Sequence, residues 1–277
     1  MVAPRRRSDS QRPLLDEEEA ADVDDISPTT DDDSTGRIAL ADPDDDEPKP
    51  SGPFLRALNM APTTRDRWSL GLLAAGIALF LPLTWTLVLT ADVAALGYFA
   101  PHPPLNALAI TLFALGVAPV QPPTPPPGVR ALRLATHQRV LAGFAVPLMA
   151  VGTSFMWWNK EVHGAAHYTT WHAWFGCATL LWVLVQALVG GLSVWAGGAA
   201  FGGGAKAKAV YKYHRLSGYL LIGLSLATAF LAGGYSTWAV SRGPAYTPLR
   251  VGAFYIGIPL IAIGLGLRIR TSKMKFA

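Results

Sequence analysis

Charged side chains and cysteine are both scarce in this chain of 277 residues. Charged residues make up 15% of the sequence, against about 25% in an average soluble domain, and the mean hydropathy is +0.30. The single cysteine, Cys177, excludes an intrachain disulfide framework and a metal site built from several cysteines. The composition predicts a membrane protein surrounded by lipid, and no nucleic-acid partner is expected.

Acidic residues are almost absent after residue 53. Residues 1–53 contain 16 of the 19 acids, and the rest of the chain has only Asp66, Asp92 and Glu161. The first segment has few aromatic or β-branched residues, so we expect residues 1–53 to form a disordered acidic tail. None of the three later acids falls within a predicted membrane span. This argues against a proton- or cation-coupled carrier, because such carriers usually need a carboxylate inside the membrane.

Six uncharged runs are long enough to cross about 30 Å of hydrocarbon, which takes roughly 20 helical residues. Residues 54–277 are therefore predicted to form an all-α membrane domain with six transmembrane helices. The predicted spans are 68–91, between Arg67 and Asp92, then 99–120, 132–157, 170–195, 210–234 and 251–267. The proline-rich stretch QPPTPPPG ends the second span, because proline cannot continue a helix.

Basic residues separate sharply between the two sides of such a six-span chain. Fourteen lie on the side of the acidic tail and three on the other side. Because basic residues are enriched in cytoplasmic loops, this bias predicts that both termini are cytosolic. The membrane is left open between the endomembrane or vacuolar system and the plasma membrane.

Four of the six histidines lie near the start of consecutive predicted spans, two to five. They are His102, His137, His172 and His214. Because successive helices enter the membrane from opposite faces, His102 and His172 should share the outer level. By the same argument, His137 and His214 should share the inner level.

Each pair offers two imidazoles and no carboxylate or thiolate, which makes a poor zinc site because zinc normally has four ligands. Two imidazoles can instead fill both axial positions of a haem iron held between facing helices. The sequence therefore predicts two haem groups in a four-helix core formed by spans two to five. His102 and His172 would bind the outer iron, and His137 and His214 the inner iron. The alternative is that these are interfacial histidines hydrogen-bonded to lipid headgroups or to neighbouring carbonyls.

Four sequence motifs carry a family resemblance. His102-Pro103 opens the second span, THQRV begins the third, NKEVHGAAHYTTWHAWFG leads into the fourth, and YKYHRLSG opens the fifth. Together they resemble the cytochrome b561 family over roughly residues 67–270. The resemblance implies a six-helix protein with two haem b groups that passes electrons from cytosolic ascorbate to monodehydroascorbate or a ferric chelate on the other side. It also implies that His172 is an axial ligand and that His167 is not.

Basic residues on the inner side are candidates for binding the reductant. They are Arg130, Arg133, Lys208 and Lys212. A cationic surface would attract a small anionic reductant such as ascorbate. Ordinary enrichment of basic residues in cytoplasmic loops explains these side chains equally well.

Three residues on the outer side are candidates for binding the electron acceptor. Lys160, His163 and His167 could hold an anion or a ferric chelate. His163 and His167 are four residues apart, so they would be placed to chelate a metal ion if this stretch were helical.

Two other functions remain open from the sequence. One is a haem-bearing membrane anchor that exchanges electrons with quinone or with a soluble dehydrogenase, and the other is a carrier or scaffold without haem. No side chain is predicted to be catalytic, because in a transmembrane oxidoreductase of this kind the redox chemistry belongs to the cofactor. A homodimer is also left open.

Overall fold

The structure, a computed structural model, describes residues 60–122 and 128–274. The predicted acidic tail, residues 1–53, lies outside the described residues. Within the described part, six helices are long and apolar enough to cross a membrane, and there are no strands. They are α1 (Thr64–Leu89), α2 (His102–Val120), α3 (Val129–Val162), α4 (Trp171–Leu192), α5 (Gly204–Ser241) and α6 (Pro244–Gly266). The predicted all-α fold with six transmembrane helices is confirmed.

Several of these helices contain irregular turns. The last turn of α2, Ala118–Val120, is a 3-10 helix. Both α3 and α6 contain a π-helical turn, at Leu141–Ala145 and Val251–Gly257 respectively. In α5, a continuous helix from Gly204 to Tyr235 is followed by a short helix, Thr237–Ser241. Such π-helical turns are frequent near functional sites, and the one in α3 begins four residues after His137.

The first helix begins earlier than the sequence predicts. The Thr63 side chain caps α1 by accepting a hydrogen bond of 3.2 Å from the backbone N–H of Asp66. Such a cap stabilises the first turn of a helix. Asp66 is therefore inside the first turn of α1, where it is completely buried, whereas we expected it to lie outside the span. A search for uncharged runs could not find this boundary, because the first turn carries charge.

The six helices pack as pairs around a central space. The most extensive pairings are α1 with α6, α4 with α5, and α2 with α3. The α2–α3 pair and the α4–α5 pair make fewer contacts with each other than within themselves. We call the face where α1 begins and α6 ends the inner face, and the opposite face the outer face. The four helices of the central group, α2 to α5, carry the four histidines predicted to be ligands.

Candidate functional site

At the outer level, the structure places His102 of α2 next to His172 of α4. Their ring centres are 6.0 Å apart and the ring planes are 79° from parallel. His102 is the first residue of α2, and His172 is the second residue of α4, whose N-terminus is capped by the Thr170 side chain. Residues 70 positions apart in the chain thus meet because α2 and α4 both begin at the outer face.

At the inner level, His137 of α3 lies next to His214 of α5. Their ring centres are 6.5 Å apart and the ring planes are 86° from parallel. Both helices begin at the inner face, and each histidine lies within the first three turns or so of its helix. The structure therefore brings together the same two pairs as the sequence argument did.

The spacing of the rings suits two ligands on opposite sides of one metal ion. An imidazole nitrogen binds a transition metal at about 2.0 Å and lies about 1.1 Å from the ring centre, so the two ring centres should be roughly 6 Å apart. The observed separations are 6.0 and 6.5 Å. Among the described residues, no group of three or more His, Cys, Asp or Glu side chains could hold a metal ion. The donor set therefore fits a two-ligand haem iron better than a structural zinc ion.

Hydrogen bonds fix the protonation of three of the four rings. The Nδ1 atom donates to the backbone carbonyl of Gly152 in His102 (2.9 Å), of Gly116 in His137 (3.0 Å) and of Thr228 in His172 (3.0 Å). A carbonyl oxygen can only accept, so the proton is on Nδ1 and the lone pair on Nε2 is available to a metal. This arrangement, with the second ring nitrogen bonded to a carbonyl, is typical of metal-binding histidines.

His214 is held differently from the other three. Its Nδ1 atom is buried and has no hydrogen-bond partner among the described residues. Its ring instead packs on Gly190 of α4, where an added Cβ would lie 2.6 Å from the ring atom Cε1. Packing against a glycine therefore orients this ring in place of a hydrogen bond.

A cavity of about 500 Å³ lies beside the outer pair. His102 and His172 line it, together with mostly apolar side chains from all six helices. Gly176 also lines it, one turn after His172, and an added Cβ there would touch only Thr228 Cγ2, at 3.7 Å. A largely apolar cavity with a few polar groups is the usual form of a cofactor site, so this space suits a flat hydrophobic cofactor.

The cavity reaches the loop between α3 and α4 at the outer face. Two of the three predicted outer residues, Lys160 and His167, line it. The His167 ring stacks on Trp157, with ring centres 4.0 Å apart, and its Nε2 atom lies 3.0 Å from the Glu161 carboxylate. His167 is thus at the mouth of the cavity and outside the pair of rings formed by His102 and His172.

His163 does not join this group. It follows the last residue of α3, is exposed, and its Nδ1 atom donates a hydrogen bond of 2.6 Å to the Asn159 carbonyl. Because α3 ends at Val162 and α4 begins at Trp171, the stretch containing His163 and His167 is not helical. Metal chelation by His163 and His167 required this stretch to be helical, so the structure does not support it.

Tyr168 was not identified from the sequence. It lines the cavity, and its φ of 55° places it in the left-handed region, which is uncommon outside glycine. Its ring stacks on Trp174 with ring centres 4.9 Å apart. A hydrogen bond with the Cys177 thiol, over 3.8 Å, raises the pKa of the Tyr168 hydroxyl. The hydroxyl is therefore neutral at physiological pH. No pattern in the sequence indicates this backbone conformation.

All four predicted inner residues lie on the two helices that carry the inner histidines. Arg130 and Arg133 are in the first turns of α3, and Lys208 and Lys212 are in the first turns of α5. Arg133 is buried and donates to the Pro122 carbonyl over 3.4 Å, whereas Arg130 is exposed. The four side chains thus share the inner face, but Arg133 is directed into the protein.

A buried ion-pair group at the inner face was also missed by sequence analysis. Asp66 of α1 lies 2.7 Å from Arg270 and 3.8 Å from Arg268, and neither Asp66 nor Arg268 has exposed side-chain surface. Arg268 also donates to the backbone carbonyls of Met60 and Ala118. This group joins the beginning of α1, the end of α2 and the segment after α6. The sequence feature that indicates these ion pairs is an acidic residue near the start of the membrane domain and two basic residues near its end.

Part of the chain that carries these helices and histidines is similar to a known protein family. Residues 129–240 match the family model described as eukaryotic cytochrome b561. This region contains α3, α4 and most of α5, and with them His137, His172 and His214. No curated protein matches the chain.

Proposed function

On the basis of the match of residues 129–240 to the cytochrome b561 family model, we propose that the protein carries electrons across a membrane between a cytosolic ascorbate-type reductant and monodehydroascorbate or a ferric chelate on the other side. Members of this family bind haem b and act in transmembrane electron transfer. The observation that carries the finer proposal is the occurrence of two histidine pairs, at opposite levels of one helix bundle, with ring centres 6.0 and 6.5 Å apart.

In this proposal each histidine pair holds one haem b. His102 and His172 would hold the outer haem, and His137 and His214 would hold the inner haem. Bound haem supplies an iron that cycles between two oxidation states and so accepts and releases one electron at a time.

The side chains around the rings orient the ligands and exclude water. The backbone carbonyls of Gly152, Gly116 and Thr228 keep a proton on Nδ1 of their histidines, which leaves Nε2 as the ligand atom. The apolar lining of the outer cavity lowers the local polarity, and such a shell is one of the factors that set a haem reduction potential.

On the donor side, the inner face presents the positive charge that a small anion requires. Arg130, Lys208 and Lys212 lie on the helices that carry His137 and His214. Positive charge near a docking surface increases the rate at which an anionic reductant arrives, and added salt screens this effect. We assign these three side chains to attraction of the reductant.

On the acceptor side, Lys160 and His167 lie at the mouth of the cavity that contains the outer histidine pair. A cation and an imidazole at this position can hold the carboxylates of a ferric chelate or the negative charge of monodehydroascorbate. His163, which is exposed and does not line the cavity, has no part in this assignment.

The experiment that tests the proposal uses sealed vesicles containing the purified haem-loaded protein. Ascorbate is added on the side of the chain termini, a ferric chelate is trapped on the other side, and the haem absorbance and ferrous product are followed by stopped flow. We expect rapid haem reduction and ferrous product inside the vesicles. If ascorbate leaves the haem oxidised while a reduced quinone or a co-purifying dehydrogenase reduces it, the protein is a haem-bearing membrane anchor instead.

A further inference from the structure

The segment after α6 brings a lysine against an arginine of α3. Lys273 Nζ and Arg133 Nη1 both donate to the carbonyl oxygen of Pro122, over 3.3 and 3.4 Å. The two cationic nitrogens are therefore within about 7 Å of each other, close enough to repel strongly in a partly buried position. Burial lowers the pKa of Lys273 to about 8, and neighbouring positive charges add to this shift. Those charges belong to Arg215, Arg133, Arg130 and Arg270.

Within the part of the chain that the structure describes, the acids do not balance the charges of Lys273, Arg270 and Arg215. Asp66 is already shared by Arg268 and Arg270. The two other acids after residue 53, Asp92 and Glu161, lie beyond the outer end of α1 and near the outer end of α3. Among the described residues, an excess of positive charge therefore remains where Arg215, Arg270 and Lys273 lie near one another at the inner face.

Two donors in this region lack acceptors. Arg215 Nη1 and Arg270 Nε are buried and have no hydrogen-bond partner among residues 60–122 and 128–274. A buried donor without an acceptor is costly, and a charged one more so. An anion with several acceptor oxygens would satisfy these groups and offset the repulsion at the same time.

An apolar groove of about 110 Å³ leads to the same place. It runs between α2, α5 and α6, and three small residues on its walls, Gly223, Ala262 and Gly266, are exposed toward the lipid. At its inner end the Tyr219 hydroxyl donates a hydrogen bond of 2.6 Å to Gln121 Oε1.

Tyr219 also connects the groove to the cations. It lies beside the charges of both Arg215 and Arg270. The groove is thus apolar along its length and cationic at the end nearest the inner membrane surface, which matches the distribution of polarity in an anionic phospholipid.

We propose that the groove and its cationic end bind an anionic phospholipid, with the headgroup phosphate on Lys273, Arg270 and Arg215 and part of one acyl chain between α5 and α6. Basic pockets between transmembrane helices on the cytosolic side are suited to such headgroups. A multiply charged headgroup such as that of a phosphatidylinositol phosphate matches the charge excess best. The site is separate from the histidine pairs, and it is occupied whether or not the protein uses ascorbate.

The experiment measures lipid retained by the full-length, haem-loaded protein. The protein in detergent is titrated with phosphatidylinositol 4-phosphate, and bound lipid is counted by native mass spectrometry, with phosphatidylcholine as the neutral reference. We expect one tightly held phosphatidylinositol phosphate. Lys273→Gln should weaken its binding about five-fold, the effect of removing one basic residue near the headgroup. Ala262→Phe, which fills the groove without changing charge, should weaken it by a similar factor.

The matched control is Lys206→Gln, which removes a positive charge at the inner end of α5 outside this cluster. This variant should bind lipid as the unaltered protein does. If it loses as much affinity as Lys273→Gln, the lipid responds to general surface charge and the proposal is wrong. Soluble inositol phosphate should displace the lipid poorly, since it lacks the acyl chain. If inositol phosphate displaced the lipid at the concentration at which the lipid itself binds, the site would be one for a free anion instead.

A final experiment measures lipid binding by a protein that lacks residues 1–53, which carry 16 acids. We expect lipid binding to be unchanged in the shortened protein. If lipid binds only after this removal, the acidic segment itself occupies the cluster, and the lipid proposal is wrong for the full-length protein.

Discussion

The Nδ1 atom of His102 donates a hydrogen bond of 2.9 Å to the carbonyl oxygen of Gly152, across the contact between α2 and α3. The same two helices form the converse bond at the inner level, where His137 donates to Gly116 over 3.0 Å. In both cases the acceptor is a glycine, and Gly152 packs closely against the facing helix. The α2–α3 contact therefore orients one histidine of each pair.

We expect Gly152→Ala to weaken the outer haem site. An added Cβ would lie 2.6 Å from Asn106 Nδ2 and 3.0 Å from Leu105 Cβ, so α2 must shift away from α3 and the bond to His102 must lengthen. Overpacking of this kind costs about 1–3 kcal/mol. The measurement is a redox titration followed at the haem absorbance bands, in which the outer component should shift or lose amplitude while the inner one is retained.

The matched control for that variant is Gly143→Ala on the same helix, where an added Cβ meets nothing within 4 Å. Its effect on stability should stay within about 0.5 kcal/mol, with both haem components intact. If the two substitutions have the same effect, the contact of Gly152 with α2 does not orient His102.

Gly190→Ala should affect the inner site selectively. The new Cβ would lie 2.6 Å from Cε1 of His214, and no described residue makes a hydrogen bond to Nδ1 of this ring that could restore its orientation. We expect loss or a large shift of the inner haem component in the same titration. Gly71→Ala, where a Cβ meets nothing within 4 Å, is the control. Loss of the outer component in Gly190→Ala would contradict the assignment of His214 to the inner level.

Asp66→Asn should destabilise the protein without removing a haem ligand. The substitution leaves the buried Arg268 and the nearly buried Arg270 without a counter-charge, and removing one partner of a buried ion pair costs about 3–5 kcal/mol. Thermal unfolding in detergent, followed by tryptophan fluorescence, measures the loss. Asp92→Asn, at an exposed cap of the short helix Val93–Leu96, should cost no more than about 1 kcal/mol. Equal midpoints for the two variants would mean that the Asp66 ion pairs do not hold α1 against α6.

Binding of the anionic lipid should weaken as pH rises through about 8. Lys273 is charged below its pKa of about 8 and neutral above it, so its attraction for the phosphate is present at pH 7 and declines toward pH 9. The arginines that face it keep their charge over this range, and the phosphate of the headgroup stays ionised. Lys273→Arg should remove the decline, because arginine does not titrate below about pH 12. Identical pH profiles for the two proteins would exclude Lys273 as the titrating group.

We assign His167 to binding of the electron acceptor, but not His163, which is only four residues away. His167→Gln should reduce the rate of ferric chelate reduction roughly 10-fold, the cost of losing one hydrogen bond to a charged group, and should leave both haems bound. His163→Gln should leave the rate unchanged, because His163 lies outside the cavity. The test is steady-state reduction of the trapped chelate in sealed vesicles, and the account of the outer mouth fails if both variants behave alike.

The sequence predicts more of the helices than of their contacts. The six-helix fold is confirmed, because long uncharged runs leave few alternatives to membrane-spanning helices. The match of residues 129–240 to the family model supports the predicted family. The histidine pairs follow from the spans, since helices that begin at the same face bring their first turns to the same level. Their roles as haem ligands stay predictions.

Two kinds of contact could not be predicted from the sequence. Some are made by backbone atoms, which every residue has, and others join residues that are far apart in the chain. Backbone carbonyls accept from three of the histidines, and no residue type marks a carbonyl as an acceptor. Asp66 and Arg270 are 204 residues apart, and their contact depends on how α1 packs on α6. The left-handed conformation of Tyr168 is imposed by the loop.

The most direct test of the central claim is a set of redox-resolved absorbance spectra of four single variants, His102→Ala, His172→Ala, His137→Ala and His214→Ala. Two haems held by the proposed pairs predict that the first two variants lose the same b-type component and that the last two lose the other. Loss of one common component in His102→Ala and His137→Ala, or the absence of any b-type band in the unaltered protein, would contradict it.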